Sequence, residues 1–274
     1  MSSRKPNLRG AFGRRLSIVV ASVLATLVVA GSTVGAPSPE SGHVVLVELF
    51  TSQGCSSCPP ADRLLTAIGG EDAGKVVPLA FHVDFWNSQG WTDPFSSREW
   101  TFRQVAYERA LEQSQPYTPQ AVIDGSAEVL GSDADKLRAA IRAAAERPAA
   151  RLAIALAVAP SSSRVEVAVD VERPDDLRAQ KLDLYAAVFE TGLSTPVGRG
   201  ENGGQTLRND YVVRVLEKIG RLSKGDASPS HHATSLRLSK NWNAAHLGVA
   251  VFLQDPASLA VRGAAAQPLP ASAP

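Results

Sequence analysis

The sequence predicts an α/β domain of order β-α-β-α-β-β-α, followed by an antiparallel β-sandwich domain. Three observations predict it. Residues 44–50 form an apolar run interrupted only by Glu48, as expected of a strand covered on both faces. Up to Pro148, apolar residues at helical spacing alternate with short β-like runs. From Arg151 the period changes to two: Val165, Val167, Val169 and Val171 alternate with Glu166, Ala168, Asp170 and Glu172.

Residues 1–36 are set apart from the fold. They hold five basic and no acidic groups, an apolar run from Ile18 to Ala30, and a small-residue exit at Val34-Gly35-Ala36. That order is the pattern of a secretory signal peptide cleaved after Ala36, and the run is shorter than the ~20 residues of a membrane span. Arg14-Arg15 leaves the choice between general and twin-arginine export open. Cleavage leaves 23 basic against 27 acidic residues. A mildly acidic chain without a basic cluster offers nucleic acid no electrostatic footprint. No second apolar stretch is long enough to span, so the expectation is a periplasmic or secreted protein with no membrane contact in its mature form.

The first domain is placed at residues 43–148. After the strand at 44–50 come Cys55 and Cys58, then a helix with Ala61, Leu64, Leu65 and Ile68 on one stripe, stopped at Gly69-Gly70. Val76–Val83 reads as the second strand and Asp84–Phe95 as a loop. Ser96 and Glu99 have the spacing of a capping box for a helix reaching about Gln113. Gln120–Asp124 and Ala127–Leu130 form a hairpin signalled by Asp124-Gly125. Ser132 or Asp133 caps a helix ending before Pro148. The sandwich is placed at residues 151–262, with strands at Leu152–Val158, Val165–Val171, Lys181–Glu190, Tyr211–Leu216, Ser235–Leu238 and His246–Gln254. An Ala- and Pro-rich tail, residues 263–274, is expected to be poorly ordered.

Cys55 and Cys58 are the only cysteines. Three chemistries compete for Cys55-Ser56-Ser57-Cys58. A structural staple that closes so small a loop gains only ~2 kcal/mol by loop entropy. A zinc site needs four ligands, and only His231-His232, in the other domain, could complete one. Thiol–disulfide exchange needs only what is present, one thiolate to attack and a neighbour to resolve the mixed disulfide. Between a strand and a helix N-terminus the pair sits where backbone amides favour a thiolate, although Pro59-Pro60 remove two of those amides. Copper(I) delivery is disfavoured because the mature chain has no methionine. No metal or other cofactor is called for.

The element order and the CxxC after the first strand resemble thioredoxin, and Tyr117-Thr118-Pro119 before the third strand adds a third match. The resemblance implies a cis Pro119 that, with Thr118, shapes a groove for an extended substrate beside the cysteines. It also implies a buried acid beneath them, the place of Glu48, which assists proton movement for Cys58. A Glu48 paired with a nearby Lys or Arg is the alternative. The Ser-Ser spacer departs from thioredoxin's Gly-Pro, so no redox potential carries over. More closely, the chain resembles the exported bacterial family called domain of unknown function 1223. The match is carried by Glu48–Asp62, His82–Trp86, Gly90–Phe95, Tyr117–Gln120 and Arg199–Gly203.

Trp86 and Trp91 bracket a Gly-containing loop and serve either as a substrate-facing wall or as anchors of that loop to the core. His82 and Asp84 share a strand face, as a satisfied polar pair or a metal or water site. Any role for Glu201 rests on the family resemblance. The leading expectation is a thiol–disulfide oxidoreductase with Cys55 attacking and Cys58 resolving, acting on a protein or small thiol or disulfide. The alternative is a binding or assembly protein whose cysteines form a passive bridge.

Overall fold

The computed structural model describes residues 42–157 and 163–270. The signal peptide expected at 1–36, Val158 at the end of the expected Leu152–Val158 strand and the last four residues of the expected tail lie outside the described residues. No described helix is long and apolar enough to cross a membrane.

The first part of the chain runs β1 (Val45–Thr51), α1 (Pro59–Glu71), β2 (Val76–His82), α2 (Arg98–Ala110), β3 (Gln120–Ile123), β4 (Ala127–Leu130) and α3 (Ala134–Ala145). β1 pairs parallel with β2 and antiparallel with β3, which pairs with β4. Every residue of β1 is buried because helices cover both faces of the sheet. Val45, Val47 and Leu49 pack with Ala61, Leu65 and Ile68 of α1 and with Leu137 and Ile141 of α3. Leu46 and Phe50, on the other side of the pleat, pack with Trp100 and Tyr107 of α2. The hairpin between β3 and β4 turns on Asp124 and Gly125, both at positive φ, the conformation a two-residue primed turn demands. Gly125 is obligatory on a second count: a Cβ there would lie 1.9 Å from the Leu259 carbonyl oxygen.

In this part of the chain two helices differ in extent from the sequence reading. α1 continues through Gly69-Gly70 to Glu71, since Tyr211 packs so closely over Gly69 that a Cβ would lie 2.5 Å from its hydroxyl. α2 is capped by Ser97, whose side chain accepts from the Glu99 amide, rather than by Ser96, and it ends at Ala110. Ser96 instead donates to the Asp93 carbonyl oxygen.

The second part supplies β5 (Arg151–Ala157), β6 (Arg164–Glu172), the short α4 (Asp175–Arg178), β7 (Leu182–Glu190), β8 (Leu193–Pro196), β9 (Thr206–Asn209), β10 (Val212–Leu222), β11 (Ser230–Arg237), β12 (Leu247–Gln254) and β13 (Val261–Pro268). Four of these extend the first sheet, which has the order β13-β12-β7-β10-β2-β1-β3-β4 and so runs across the position of the expected domain boundary. β11, β6 and β5 form a separate three-stranded sheet. Its inward valines at 165, 167, 169 and 171 meet Leu182, Leu184, Val188, Val249 and Val251 of the large sheet. The other face of β7 and β12 packs toward α2 through Phe189 and Phe252, so that β12 is buried throughout and β7 at every residue but the half-buried Tyr185.

The loose tail expected from Gly263 is corrected: residues 263–268 belong to β13, paired along β12. Its small side chains allow β5 to approach, and a Cβ on Gly263 would lie 2.5 Å from the Ala150 carbonyl oxygen. A polar, Ala-rich segment thus earns its order by close packing that composition does not reveal. β8 and β9, absent from the sequence reading, pair only with each other and form a small hairpin.

Candidate functional site

Cys55 and Cys58 are joined in a disulfide in the turn between β1 and α1. The turn is held by the Cys55 amide donating to the Ser52 carbonyl oxygen and the Cys58 amide to that of Cys55. Cys58 is the N-cap of α1, with no side-chain cap. Pro59 and Pro60 bring no N–H, and the next two amides, of Ala61 and Asp62, both turn to the Cys58 carbonyl oxygen. The helix terminus therefore offers the sulfurs few free donors. Cys55 Sγ lies 3.3 Å from the Ser57 hydroxyl and 4.0 Å from the Thr118 carbonyl oxygen. The Thr118–Pro119 bond is cis. Both cysteines have zero solvent exposure, while Ser56 and Ser57 between them are exposed. The sulfurs are thus covered, while the turn that bears them is exposed at Ser56 and Ser57.

The two tryptophans divide the surroundings. Trp86 Nε1 donates to Thr118 Oγ1 at 2.8 Å, and its Cβ is so close to Gly54 that an added Cβ there would sit 3.0 Å away. Trp91 Nε1 donates to Gln53 Oε1 at 3.2 Å and its ring backs the loop of Gly198 and Gly200. Trp86 stands against the residue before the cis-proline, and Trp91 ties two loops together.

Glu48 lies on the α2 face of the sheet, across from the helix that carries Cys58. Arg103 Nε donates to its Oε1 at 2.6 Å and the Tyr107 hydroxyl donates to Oε2. Gln254 Nε2 donates to the same hydroxyl at 2.8 Å. The Arg103 guanidinium sits over the rings of Phe81, Tyr107 and Phe252, 5.1–5.5 Å from their centroids. Burial opposes its charge, but Glu48 beside it wins and raises the Arg103 pKa above its ordinary value. Burial pushes the Tyr107 hydroxyl well up. Of the two roles weighed for Glu48, pairing with a cation is the one its contacts display.

A second acid, Asp62, stands on the cysteine side. It follows Cys58 by four residues on α1, so both side chains share one helix face. Thr51 Oγ1 donates to its Oδ1 at 2.8 Å, and Asn209 Nδ2 approaches Oδ2 at 3.4 Å. Burial raises its pKa to about 6, against the lowering influence of His82 and the Thr51 bond. His82 shares hydrogen with Asp93 through Nδ1 at 2.7 Å, and the Gln53 and Phe95 amides donate to the same carboxylate. Burial disfavours the His82 cation, yet Asp93 and then Asp62 outweigh it and raise the pKa. Burial likewise disfavours ionised Asp93, and His82 outweighs it, lowering the Asp93 pKa. His82 Nε2 is buried with no hydrogen-bond partner among the described residues. His82 and Asp84 do not pair with each other as the sequence suggested; Asp84 takes the Thr101 hydroxyl at 2.6 Å instead. Among the described residues no three His, Cys, Asp or Glu side chains are grouped to hold a metal ion.

Asp62 gives a pH-dependent prediction. Its folded pKa, about 6, stands above the ordinary 3.8, so its stabilising share is complete below pH 3.8 and is lost as pH rises through 6. The charged neighbours are His82, Asp93 and Arg63. Asp62→Asn, which cannot ionise, is expected to gain up to about 3 kcal/mol on the wild type between pH 4 and pH 8, at 1.36 kcal/mol per pKa unit. Urea unfolding at the two pH values measures it; equal differences at both would remove the buried-acid assignment.

From the far half of the chain, the loop between β8 and β9 reaches back over the disulfide turn. Asn202 Nδ2 donates to the carbonyl oxygens of Gln53 (2.9 Å) and Cys55 (3.0 Å), and the Ser56 amide donates to Glu201 Oε2 at 3.0 Å. Asn209 Oδ1 accepts from Gln53 Nε2 at 2.8 Å. The Ser56 hydrogen bonds hold Glu201 below the usual carboxylate range.

Residues 46–254 match the family described as "Protein of unknown function (DUF1223)". The chain belongs to this family. It is similar to the crystal structure of a protein from Agrobacterium tumefaciens, with 30% identity, a TM-score of 0.66, and coverage of 86% of this chain and 98% of that one. It is also similar to HBP35 of Porphyromonas gingivalis, with a TM-score of 0.60 over 86% of this chain and 80% of that chain; at 15% identity that likeness speaks to the fold alone. No curated protein matches this DUF1223 chain.

Sequence reasoning missed Thr51, Gln53, Asp62, Asp93, Asn202 and Asn209. All but Asn209 fall inside stretches that carried the DUF1223 resemblance, so the signal was present without a role attached. Their chemistry is ordinary in sequence, and only burial gives it consequence.

Proposed function

We propose that this DUF1223 member is an exported thiol–disulfide oxidoreductase with a thioredoxin-like arrangement, acting through Cys55 and Cys58. The observation that carries the reading is the approach of Cys55 Sγ to the Thr118 carbonyl oxygen, just before a cis-proline, at a strand-to-helix junction. β1 with parallel β2 and antiparallel β3 and β4, flanked by α1 to α3, supports the thioredoxin-like description. The basic, then apolar, then small-residue order of 1–36 supports export, into a compartment where a disulfide persists.

In this reading the reduced Cys55 thiolate attacks a disulfide of a protein or small-molecule partner. A mixed disulfide forms and one partner sulfur leaves as a thiolate. Cys58 then passes its proton to the Asp62 carboxylate and attacks Cys55 Sγ; the pair becomes oxidised and the second partner sulfur leaves. The net change reduces the partner's disulfide to two thiols, and the reverse sequence oxidises a dithiol. Asp62 replaces Glu48 as the acid in this scheme because Glu48 is committed to Arg103 and Tyr107 on the other face. Thr118, Pro119 and Trp86 frame the approach to Cys55.

Equilibration with glutathione buffers, followed by alkylation and mass spectrometry, tests the reading. A reduction potential above about −300 mV, with reversible exchange, is expected; a lower value places the pair among structural bridges. The complete burial of both cysteines favours a second reading, a binding or assembly protein with a passive bridge. Cys55→Ser/Cys58→Ser separates the two: under the second reading that variant keeps its function in the cell.

A further inference from the structure

A disulfide with no solvent exposure cannot meet an outside thiolate in line with its S–S bond. Yet the turn that bears it is exposed at Ser56 and Ser57, so the cover is thin. The most specific attachments to that turn come from the tip of the β8–β9 hairpin. Asn202 is 1% exposed and spends both amide hydrogens on the backbone on either side of Gly54, while Glu201 receives the Ser56 amide.

The tip is held together by its own hydrogen bonds. The Val197 and Gly204 amides donate to the carbonyl oxygens of Gln205 and Val197, and Gly203 donates to that of Gly200. Gln205 Nε2 steadies the Asn202 side chain through Oδ1 at 3.3 Å. β8 and β9 bond in a ladder only to each other and not to either larger sheet. Gly200, at φ +79°, lets the loop close onto Trp91, where an added Cβ would lie 3.0 Å from the Trp91 Cβ. Glu201, by contrast, is exposed and can exchange the Ser56 amide for water.

We infer that the Glu201–Asn202 tip is a clasp that regulates the cysteine pair: closed, it holds residues 53–56 over the sulfurs, and its release admits the partner thiol. The inference rests on the oxidoreductase reading and adds its control. Asn202 is a positioning residue, acting on Cys55 only through the backbone it holds. The clasp bonds backbone groups that both redox states possess, so it governs the rate of exchange more than the equilibrium.

The test compares the pseudo-first-order reduction of the full oxidised chain by dithiothreitol, quenched by alkylation, in the wild type and three variants. Asn202→Ala removes two hydrogen bonds and is expected to speed reduction about tenfold, with the midpoint potential unchanged. Glu201→Gln, at an exposed site that leaves folding intact, is expected to speed it about twofold. Leu236→Ala destabilises the distant core of β11 without touching the clasp and is expected to react at the wild-type rate. Wild-type rates in folded Asn202→Ala, or in Glu201→Gln should Asn202→Ala not fold, would overturn the inference. So would equal acceleration in Leu236→Ala, which signals global unfolding. Fast reduction of the variants without transfer of electrons to oxidised glutathione leaves the clasp standing and removes the oxidoreductase reading. Equal rates with efficient transfer do the reverse.

Discussion

Cys55→Ser is expected to abolish thiol–disulfide exchange, and Cys58→Ser to stop turnover while leaving Cys55 able to form a mixed disulfide that accumulates. The asymmetry follows from position. Cys55 Sγ lies beside the Thr118 carbonyl oxygen and the Ser57 hydroxyl, the side from which the proposed reading brings a partner. Cys58 is the N-cap of α1, four residues before Asp62 on that helix. Without Cys58 nothing nearby resolves the adduct, since the chain has no third cysteine. Mass spectrometry of each variant after incubation with a disulfide peptide reads the outcome. Adducts on Cys58 of Cys55→Ser, and none on Cys55 of Cys58→Ser, would reverse the assignment. Iodoacetamide titration of Cys58→Ser supplies a second measure: an apparent Cys55 pKa no lower than the ~8.5 of a free cysteine argues against an attacking thiolate.

Arg103→Ala is expected to destabilise the chain by about 3–5 kcal/mol. Removing the guanidinium leaves Glu48 buried without a cation, in a strand where every residue is enclosed. It also strips the three aromatic faces that the guanidinium covers. The energy is the penalty of the orphaned carboxylate more than the worth of the pair. A control follows from the same physics. Glu48→Leu combined with Arg103→Met removes both charges and is expected to recover most of the loss, as buried pairs replaced by apolar groups commonly do. Urea unfolding at neutral pH decides it; a loss under 1 kcal/mol for Arg103→Ala would mean that water reaches Glu48.

These predictions draw on information of different kinds. β1, α1, β2, β3, β4 and α3 are legible from periodicity and punctuation, because each is an amphipathic or fully apolar segment with its own cap or turn. Cys55 and Cys58 are legible from residue type and spacing, and Pro119 from the resemblance to thioredoxin. Boundaries set by tertiary contact are not: α1 passes through two glycines because Tyr211 packs on the bare Gly69 surface, and β13 is ordered because β12 and β5 accept a run of alanines. Glu48 shows the same limit within a site. Its isolation in an apolar run announces a buried acid, but only the fold reveals that Arg103, 55 residues away, answers it.

By itself the sequence determined the order of the elements from β1 to α3 and the cysteine turn at a strand-to-helix junction. These depend on neighbours a few residues apart, so local spacing carries them. Tertiary structure alone decided that Glu48 is taken up by Arg103 while Asp62 is buried against Thr51, that His82 answers Asp93, and that Asn202 closes on Cys55 from 147 residues away. Burial and long-range hydrogen bonding assign those roles, and both are properties of the packed chain that no window of sequence contains.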